Sequence, residues 1–224
     1  MRKNSKISIS IENSLKEISK KEWDNCANPN SNDYNPFVSY NFLRSLEKSN
    51  SVNGNSGWYP SYFVAKDTDN KIVGCIPSYL KYNSSGEYVF DYSWAEAYQR
   101  IGRSYYPKLQ ISIPFTPVTA PKLLTFKSKD QDVKKALLYG IENFCKNNSL
   151  SSAHLTFLTK KDLELIKHQG WLIRTDQQFH WYNDNYRDFE DFLDALSSRK
   201  RKNIRKERDE ANKKGIEIEI LSDS

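Results

Sequence analysis

A stretch of twenty residues in the middle of the chain is dense in side chains that could do acid–base chemistry. It contains Asp91, Trp94, Glu96, Tyr98, Tyr105, Tyr106, Lys108 and Gln110. A carboxylate such as Asp91 or Glu96 can accept a proton, and a tyrosine hydroxyl or the Lys108 ammonium can hold a carbonyl oxygen that develops negative charge. These groups fit acyl transfer to an amine. The alternative is that the aromatic rings fill a core while their polar tips face water.

The histidines and cysteines show no spacing typical of metal ligands. They are His154, His168, His180, Cys26, Cys75 and Cys145. Three distant cysteines predict buried thiols rather than a disulfide framework or a zinc site. His168 precedes Gly170 at a predicted helix end. His180 is the one histidine that is a catalytic candidate, and the alternative for it is a buried, hydrogen-bonded histidine on a strand.

The positive charge of the chain is concentrated in one segment. The formal net charge is +6, and residues 199–214 hold nine Lys/Arg and three Asp/Glu, which equals the whole excess. A uniformly basic nucleic-acid binder is therefore excluded. Like charges at helical spacing repel, so the segment does not serve helix stability. It is either a solvated linker or a site for an anionic partner such as the phosphates of CoA or aminoacyl-tRNA, a cell-wall lipid precursor, or anionic lipid headgroups.

The hydrophobic period predicts the elements that must position these residues. Alternation predicts a strand at residues 6–12, and Ser19 and Ser39 are predicted helix caps. Further strands are predicted at 62–66, 71–82, 87–92, 109–115, 153–158 and 171–181. One further helix carries Val133, Leu137 and Ile141, and another begins after Thr159. The stretch 94–107 is predicted to be a connection. This order predicts an α/β fold with a mixed sheet.

The C-terminal part is predicted to be one long helix followed by a short strand. The helix runs from about Arg187 to Lys214, and Ile216, Ile218 and Ile220 alternate after it. No apolar run is long enough to span a bilayer, and the N-terminus lacks the apolar region of a signal peptide. We therefore expect a cytoplasmic protein.

Several unbroken segments resemble one family. They are Asn35-Pro-Phe-Val-Ser, residues 86–98, Tyr105-Tyr-Pro-Lys-Leu-Gln110, Pro114-Phe-Thr-Pro-Val-Thr119, Gln178-Phe-His-Trp181 and residues 197–205. Together with the element order, they resemble the FemAB-like branch of the GNAT superfamily, a peptidoglycan biosynthesis/recognition family of N-acyltransferases. The chain departs from the family pattern at Ala120, where the family has glycine.

The resemblance implies a GNAT-like acyl-CoA N-acyltransferase fold with a long basic C-terminal helix. Residues 1–185 would form a GNAT-like unit, 186–215 a basic linker helix, and 216–224 the first strand of a second unit, expected in cis or in trans. It implies transfer of an acyl or aminoacyl group to an amine, in peptidoglycan or other cell-envelope metabolism. Acyl-CoA or aminoacyl-tRNA would be the donor, with no tightly bound cofactor and no metal. The alternative is a non-catalytic module, or an inactive half, that binds tRNA or an envelope precursor through the basic helix.

Two segments are candidates for phosphate binding. The loop 114–121 matches in position the GNAT loop that contacts a donor pyrophosphate, although its prolines remove N–H donors. The segment from Gln99 to Ser104 superficially fits the GNAT phosphate loop, and the alternative for it is a surface turn.

The site residues expected from these arguments form three groups. Asp91 and His180 are the catalytic candidates. The substrate-binding candidates are Trp94, Tyr98, Tyr106, Lys108, Gln110, Phe115, Thr116, Thr119 and Gln178. The anion-binding candidates are Arg199, Lys200, Lys202, Arg205 and Lys206.

Overall fold

The computed structural model describes residues 7–89, 91–126, 130–213, 215, 217 and 219. The chain divides into two compact units, residues 1–173 and 174–224. In chain order the strands are β1 (Ser8–Glu12), β2 (Trp58–Pro60), β3 (Tyr62–Lys66), β4 (Ile72–Ile76), β5 (Ser78–Lys81), β6 (Lys108–Ile111), β7 (Leu124–Thr125) and β8 (Ala153–Leu155). The helices are α1 (Lys20–Ala27), α2 (Tyr40–Lys48), α3 (Tyr92–Arg100), α4 (Asp130–Asn147), α5 (Lys160–Lys167), α6 (Phe189–Asp194) and α7 (Ser198–Asn212). The predicted α/β class is confirmed.

The first unit contains two four-stranded sheets. The first has the order β1-β3-β4-β7 and is antiparallel. The second has the order β2-β5-β6-β8, and its β6–β8 pair is parallel. Pro77 separates β4 from β5, so one predicted strand at 71–82 is divided between the two sheets. Proline has no N–H for a ladder and ends the pairing there.

The first sheet is buried on both faces because helices cover it on each side. Along β3, Val64 joins a core cluster with Trp23 of α1, while Phe63 joins a second cluster with Val133 and Leu137 of α4. Burying one such apolar side chain contributes about 1.5–3 kcal/mol. This packing on both faces stabilises the first sheet, whereas buried polar residues lie on the second sheet.

Three predicted helix caps are confirmed. Ser19 accepts a hydrogen bond from the Glu22 N–H at 3.4 Å, Ser39 from the Phe42 N–H at 3.3 Å, and Thr159 from the Asp162 N–H at 3.3 Å. Such a cap contributes about 1 kcal/mol to its helix.

Three predicted elements are wrong. Residues 87–89 and Asp91 are not a strand, and helix α3 begins at Tyr92, the last residue of that predicted strand, and continues into the predicted connection at 94–107. None of the residues of α3 is buried, so it carries no apolar stripe that the sequence could reveal.

Residues 171–181 form no strand, because no strand in the described part of the chain pairs with them. Their apolar side chains are largely exposed, as Leu172 and Phe179 show at 96% and 87%.

The predicted long helix is two helices, α6 and α7. Ser197 has extended backbone angles, φ −60° and ψ 148°, and separates them. The predicted strand at Ile216, Ile218 and Ile220 lies outside the described residues.

Candidate active site

The second sheet places two lysines side by side. Lys81 on β5 and Lys108 on β6 are directly opposite in the antiparallel register, and both are fully buried. Side chains alternate along a strand, so Lys108 and Gln110 share one face of β6 while Leu109 and Ile111 pack into the core on the other. Buried lysines are rare unless they are paired.

Two buried carboxylates from the segment that precedes α3 pair with these lysines. The Lys108 Nζ donates to Glu87 Oε2 at 2.7 Å and to Asp91 Oδ2. The Lys81 Nζ donates to the Ser85 carbonyl at 3.0 Å and lies 4.0 Å from Glu87 Oε1. We call Lys81, Glu87, Asp91 and Lys108 the buried charge cluster. Its two ammonium groups and two carboxylates balance, which is the condition under which charges are tolerated in a protein interior.

The two carboxylates of the buried charge cluster differ in acidity. Burial raises the pKa of Glu87, and the neighbouring Lys108 only partly offsets it. Burial also raises the pKa of Asp91, but hydrogen bonds from Lys108, Ser84 and Tyr105 outweigh it and leave that pKa below its ordinary value. Asp91 is therefore ionised at neutral pH. Burial lowers the pKa of Lys81 to about 8.

Asp91 is the N-terminal cap residue of α3, but its side chain does not cap the helix. Its backbone carbonyl accepts the Trp94 and Ala95 N–H groups at 3.0 and 3.1 Å, while its carboxylate is bound by Lys108 and Tyr105. The positive end of the helix dipole favours a negative charge at this position.

Tyr105 joins the buried charge cluster to a histidine. Its hydroxyl donates to Asp91 Oδ2 at 2.7 Å and lies 3.2 Å from His154 Nε2, which is also 2.8 Å from the Ser152 hydroxyl. His154 lies opposite Gln110 in the parallel β6–β8 register. No local sequence pattern points to His154, because it is the pairing of β6 with β8 that brings it here.

A cavity of about 700 Å³ lies on the outer side of Tyr105. It is lined by α3 and by the segments 83–85 and 102–106, and Tyr105 and Tyr106 form part of its wall. The Tyr106 hydroxyl and the Ser84 hydroxyl are hydrogen bonded at 2.7 Å. A volume of this size is typical of small-molecule sites.

Some buried polar atoms of the second sheet have no hydrogen-bond partner within the described residues. They include Trp58 Nε1, Gln110 Oε1 and Ser112 Oγ. An unpaired buried polar group costs about 1–3 kcal/mol, and such groups are typical of functional sites. The Gln110 amide nitrogen donates to Thr156 Oγ1 at 3.0 Å. The second sheet thus differs from an ordinary core.

The other expected residues of the first unit lie at several places around this region. Trp94 and Tyr98 are on α3, and the Tyr98 ring is 5.4 Å from that of Tyr105. Phe115 packs against Trp58, with ring centroids 5.5 Å apart.

The loop 114–121 has little capacity to bind phosphate. The N–H groups of Phe115, Thr116 and Ala120 bond to the carbonyls of Gly86, Ile113 and Phe157, so three of the five N–H groups in the loop are engaged. The Thr116 hydroxyl bonds to the Pro114 carbonyl at 3.1 Å, and Thr119 is exposed.

The segment from Gln99 to Ser104 is a helix end rather than a phosphate loop. The N–H groups of Ile101, Gly102 and Arg103 bond to the carbonyls of Tyr98 and Gln99 at 2.9–3.2 Å. Gly102 has φ +69°, as is usual for glycine after a helix. The surface-turn alternative is therefore correct.

The second unit contains His180, Gln178 and the basic helix. His180 is exposed and its Nε2 lies 2.8 Å from Gln178 Oε1, so the alternative of a buried strand histidine is wrong.

The arginines and lysines of α7 divide into two sets. Arg201 donates to the carbonyls of Leu193, Asp194 and Leu196 at 3.0–3.2 Å. Arg205 pairs with Glu190, and the Arg208 guanidinium lies 4.1 Å from the centre of the Phe189 ring. These three arginines hold α7 against α6. The exposed cations are Arg199, Lys200, Lys202 and Lys206, which make no ion pair within the part of the chain that the structure describes.

Two negative findings concern the described residues only. They contain no group of three or more histidine, cysteine, aspartate or glutamate side chains arranged to bind a metal. None of their helices combines the length and apolar character needed to cross a membrane.

Comparison with known proteins gives a family match and several solved structures. A family model, FemAB-like, described as peptidoglycan biosynthesis/recognition, matches residues 14–224. The search of curated proteins gave no match.

Among solved structures, a ribosomal-protein-alanine N-acetyltransferase from Brucella melitensis is 10% identical with a TM-score of 0.47, covering 79% of this chain and 100% of that one. A putative acetyl transferase from Pyrococcus furiosus is 13% identical with a TM-score of 0.46, at 79% and 100% coverage. The aminoglycoside N-acetyltransferase AAC(6')-Iy in complex with CoA is 11% identical with a TM-score of 0.46, at 83% and 99% coverage. At these TM-scores the likenesses carry no conclusion about the substrate of this chain.

Proposed function

The chain belongs to the FemAB-like family of peptidoglycan biosynthesis/recognition, and from that premise we propose that it is an N-acyltransferase unit that moves an acyl or aminoacyl group to an amine. The observation that carries the proposal is the position of the Tyr105 side chain. This side chain lines the cavity and also donates a hydrogen bond to Asp91 at 2.7 Å. An amine that reached the Tyr105 hydroxyl from the cavity would be one hydroxyl away from the buried, ionised Asp91 carboxylate.

The chemistry that these groups support is direct attack of the amine on the acyl carbon. As the C–N bond forms, the attacking nitrogen becomes acidic and must lose a proton. The C–S bond to CoA, or the C–O ester bond to tRNA, then breaks, and the leaving sulfur or oxygen takes up a proton. The Tyr105 oxygen would accept that proton while its own proton passes to Asp91. Burial and the Asp91 charge raise the pKa of Tyr105, so the phenol does not ionise alone and the two transfers would be concerted.

The remaining groups would act on the acyl oxygen and on Asp91. The hydrogen-bonded hydroxyls of Ser84 and Tyr106 lie at the cavity wall and could donate to the oxygen as it becomes negative. Lys108 is committed to two carboxylates, so it would position Asp91 rather than hold the carbonyl as the sequence predicted. Acyl-CoA or aminoacyl-tRNA would be the donor.

A single-turnover assay tests the proposal. Transfer from acyl-CoA and from charged tRNA to a panel of primary amines would be followed for the wild type, Tyr105→Phe and Asp91→Asn. Both variants should lose about 10²-fold or more in rate, the usual contribution of a proton-transfer group. Tyr139→Phe, on an exposed tyrosine of α4, is the matched control and should keep the full rate. Absence of transfer from both donors in the wild type would overturn the proposal.

A second candidate function is binding of an anionic polymer, and the exposed cations of α7 favour it. Lys202 and Lys206 line a groove along α7 together with Asp209 and Glu210, and Lys213, just after the helix, lies at the same groove. A non-catalytic module would bind tRNA or an envelope precursor through these cations and transfer nothing. Binding of tRNA in the absence of any acyl transfer would select this function over the first.

A further inference from the structure

His154 is a basic side chain that contacts Tyr105 and that the proposed mechanism does not use. Its Nε2 lies 3.2 Å from the Tyr105 hydroxyl oxygen and 2.8 Å from the Ser152 hydroxyl oxygen. The Tyr105 hydroxyl in turn donates to Asp91 Oδ2 at 2.7 Å. Consecutive contacts of hydrogen-bond length therefore run from Asp91 through Tyr105 and His154 to Ser152.

The solvent exposure increases along this series of contacts. Asp91 and Tyr105 are 1% and 3% exposed, whereas His154 and Ser152 are partly exposed. His154 and its neighbours belong to β8, which is the edge strand of the second sheet. The contacts thus lead from a buried carboxylate to side chains that water can reach.

The two groups on either side of the Tyr105 hydroxyl differ in basicity. Burial raises the pKa of Asp91, but hydrogen bonds from three neighbours, Lys108 among them, outweigh it and leave that pKa below its ordinary value. An imidazole is the stronger base even without such a shift, since its pKa in peptides is about 6.5 against about 3.9 for an aspartate. A proton that Asp91 takes up would therefore move on to a neighbouring imidazole.

The charged groups behind Tyr105 do not oppose a proton on His154. Asp91 and Glu87 come from the segment before α3, and Lys108 of β6 is bonded to both of them, with its Nζ 5.5 Å from the centre of the Tyr105 ring. The fourth member of the buried charge cluster, Lys81, is balanced by the second carboxylate. The cluster therefore presents no excess of positive charge to the imidazole.

From these contacts we infer that His154 receives the proton from the Tyr105–Asp91 pair and passes it through Ser152 to water. The Asp91 O–H bond breaks as that proton returns to the Tyr105 oxygen, while the Tyr105 O–H proton moves to His154 Nε2. The Nε2 proton then passes to the Ser152 oxygen as the Ser152 hydroxyl proton leaves to water. Asp91 is ionised again and His154 is neutral, so the site can accept the proton of the next amine.

The inference rests on the proposed function, because it assigns the destination of the proton that acyl transfer releases. His154 acts through Tyr105, so it is a positioning residue for that proton rather than a catalytic residue. Its effect must therefore be separated from a merely structural one.

Nitrogen-15 NMR of the histidine side chains tests the inference without any acyl donor. In a neutral imidazole one nitrogen carries a proton and the other accepts a hydrogen bond. At pH 8 we expect His154 Nε2 to be the nitrogen without a proton, because it must accept one. Ser152→Ala should shift the Nε2 resonance, whereas the nitrogens of the exposed His168 should not respond. A neutral His154 with its proton on Nε2 would overturn the inference.

Steady-state acyl transfer by His154→Gln tests the role in turnover. Glutamine keeps a hydrogen-bonding amide but cannot take up a proton, so we expect the rate at pH 7 to fall about 10²-fold. The wild-type rate should also fall as His154 becomes protonated below about pH 6.5, and the variant should lose this acid limb. His168→Gln is the matched control and should keep both the rate and the acid limb. Titration of the amine itself affects all of these proteins alike.

The outcomes separate this inference from the proposed function. Transfer by His154→Gln within about threefold of the wild type, or with the same acid limb, would overturn the inference while the proposed function stands. Absence of transfer in the wild type would overturn the proposed function and the inference with it. A slow His154→Gln variant without the acid limb, together with an unprotonated Nε2 in the wild type, would support both.

Discussion

The two units of the chain carry charge in opposite ways. The first unit buries two ammonium groups beside two carboxylates, with Lys108 bonded to both Glu87 and Asp91. The second unit exposes cations along α7, and its Arg201 and Arg205 hold α7 against α6. Both regions are rich in lysine or arginine, so composition alone does not distinguish them.

The difference between the two regions lies in what removal of one charge leaves behind. In the buried charge cluster a lost partner leaves an uncompensated ion in the interior, which costs several kcal/mol. On the exposed face of α7, water takes the place of a removed cation, and the free energy of unfolding changes little. The two regions should therefore respond differently to the same kind of substitution.

The largest effect is expected for Lys108→Met. This change leaves Glu87 and Asp91 buried without their shared partner, and we expect the free energy of unfolding to fall by about 3–5 kcal/mol. Urea denaturation measures it, with Lys135→Met on the exposed side of α4 as the control, expected within about 0.5 kcal/mol. A loss below about 1 kcal/mol would show that the cluster is not a tightly coupled buried network.

The next effect concerns pH and Lys81, whose pKa burial lowers to about 8. In the unfolded state a lysine has a pKa of about 10.4 and keeps its proton up to about that pH. Between these values the unfolded state binds more protons than the folded state, so this group makes stability rise with pH, by roughly 2–3 kcal/mol. Lys81→Met should remove that rise between pH 8 and 10, whereas Lys135→Met should keep it. An identical pH profile for Lys81→Met and the wild type would contradict the shift.

A smaller effect is expected inside the second unit. Arg201→Met removes hydrogen bonds to three carbonyls at the end of α6, and we expect a local loss of about 1–2 kcal/mol. Hydrogen exchange of the α6 amides would measure it as faster exchange. Lys202→Met, one residue along but exposed, should leave those rates unchanged. Equal exchange in both variants would mean that Arg201 does not fasten the two helices.

The smallest effect on stability is expected for the exposed cations. Replacing Arg199, Lys200, Lys202 and Lys206 by glutamine should change stability by less than about 0.5 kcal/mol, yet weaken tRNA binding and flatten its salt dependence by roughly 0.7–0.9 per lost contact. The control replaces four exposed lysines of the first unit, Lys20, Lys21, Lys160 and Lys161. A salt slope that the α7 substitutions do not change would leave α7 without a role in anion binding.

Local sequence signals predicted part of this molecule well. The caps at Ser19, Ser39 and Thr159 are correct because each depends on residues within one turn. The alternation in β1 and the apolar face of α4 are confirmed for the same reason. Helix α3 was missed because it buries none of its residues, and residues 171–181 were misread because alternation does not supply a pairing partner.

The sequence predicts only part of the candidate site. It points to Asp91 and Lys108, which lie in one polar, aromatic stretch and are in direct contact. Lys81 and His154 are not predicted, because they lie on other strands and no local pattern links them to Asp91, and Glu87 lies in the same segment as Asp91 but is not singled out. His180 was chosen with Asp91, but it belongs to the other unit.

Neighbouring residues alone are enough to predict the capped helices, most strands of the first unit, the family and the position of the basic segment. Which charges are buried together and which remain exposed depends on the folded chain. Strand register places Lys81 opposite Lys108 and His154 opposite Gln110. The cost of an isolated buried ion then makes Glu87 and Asp91 necessary partners, and this requirement is a property of the folded interior that no stretch of sequence contains.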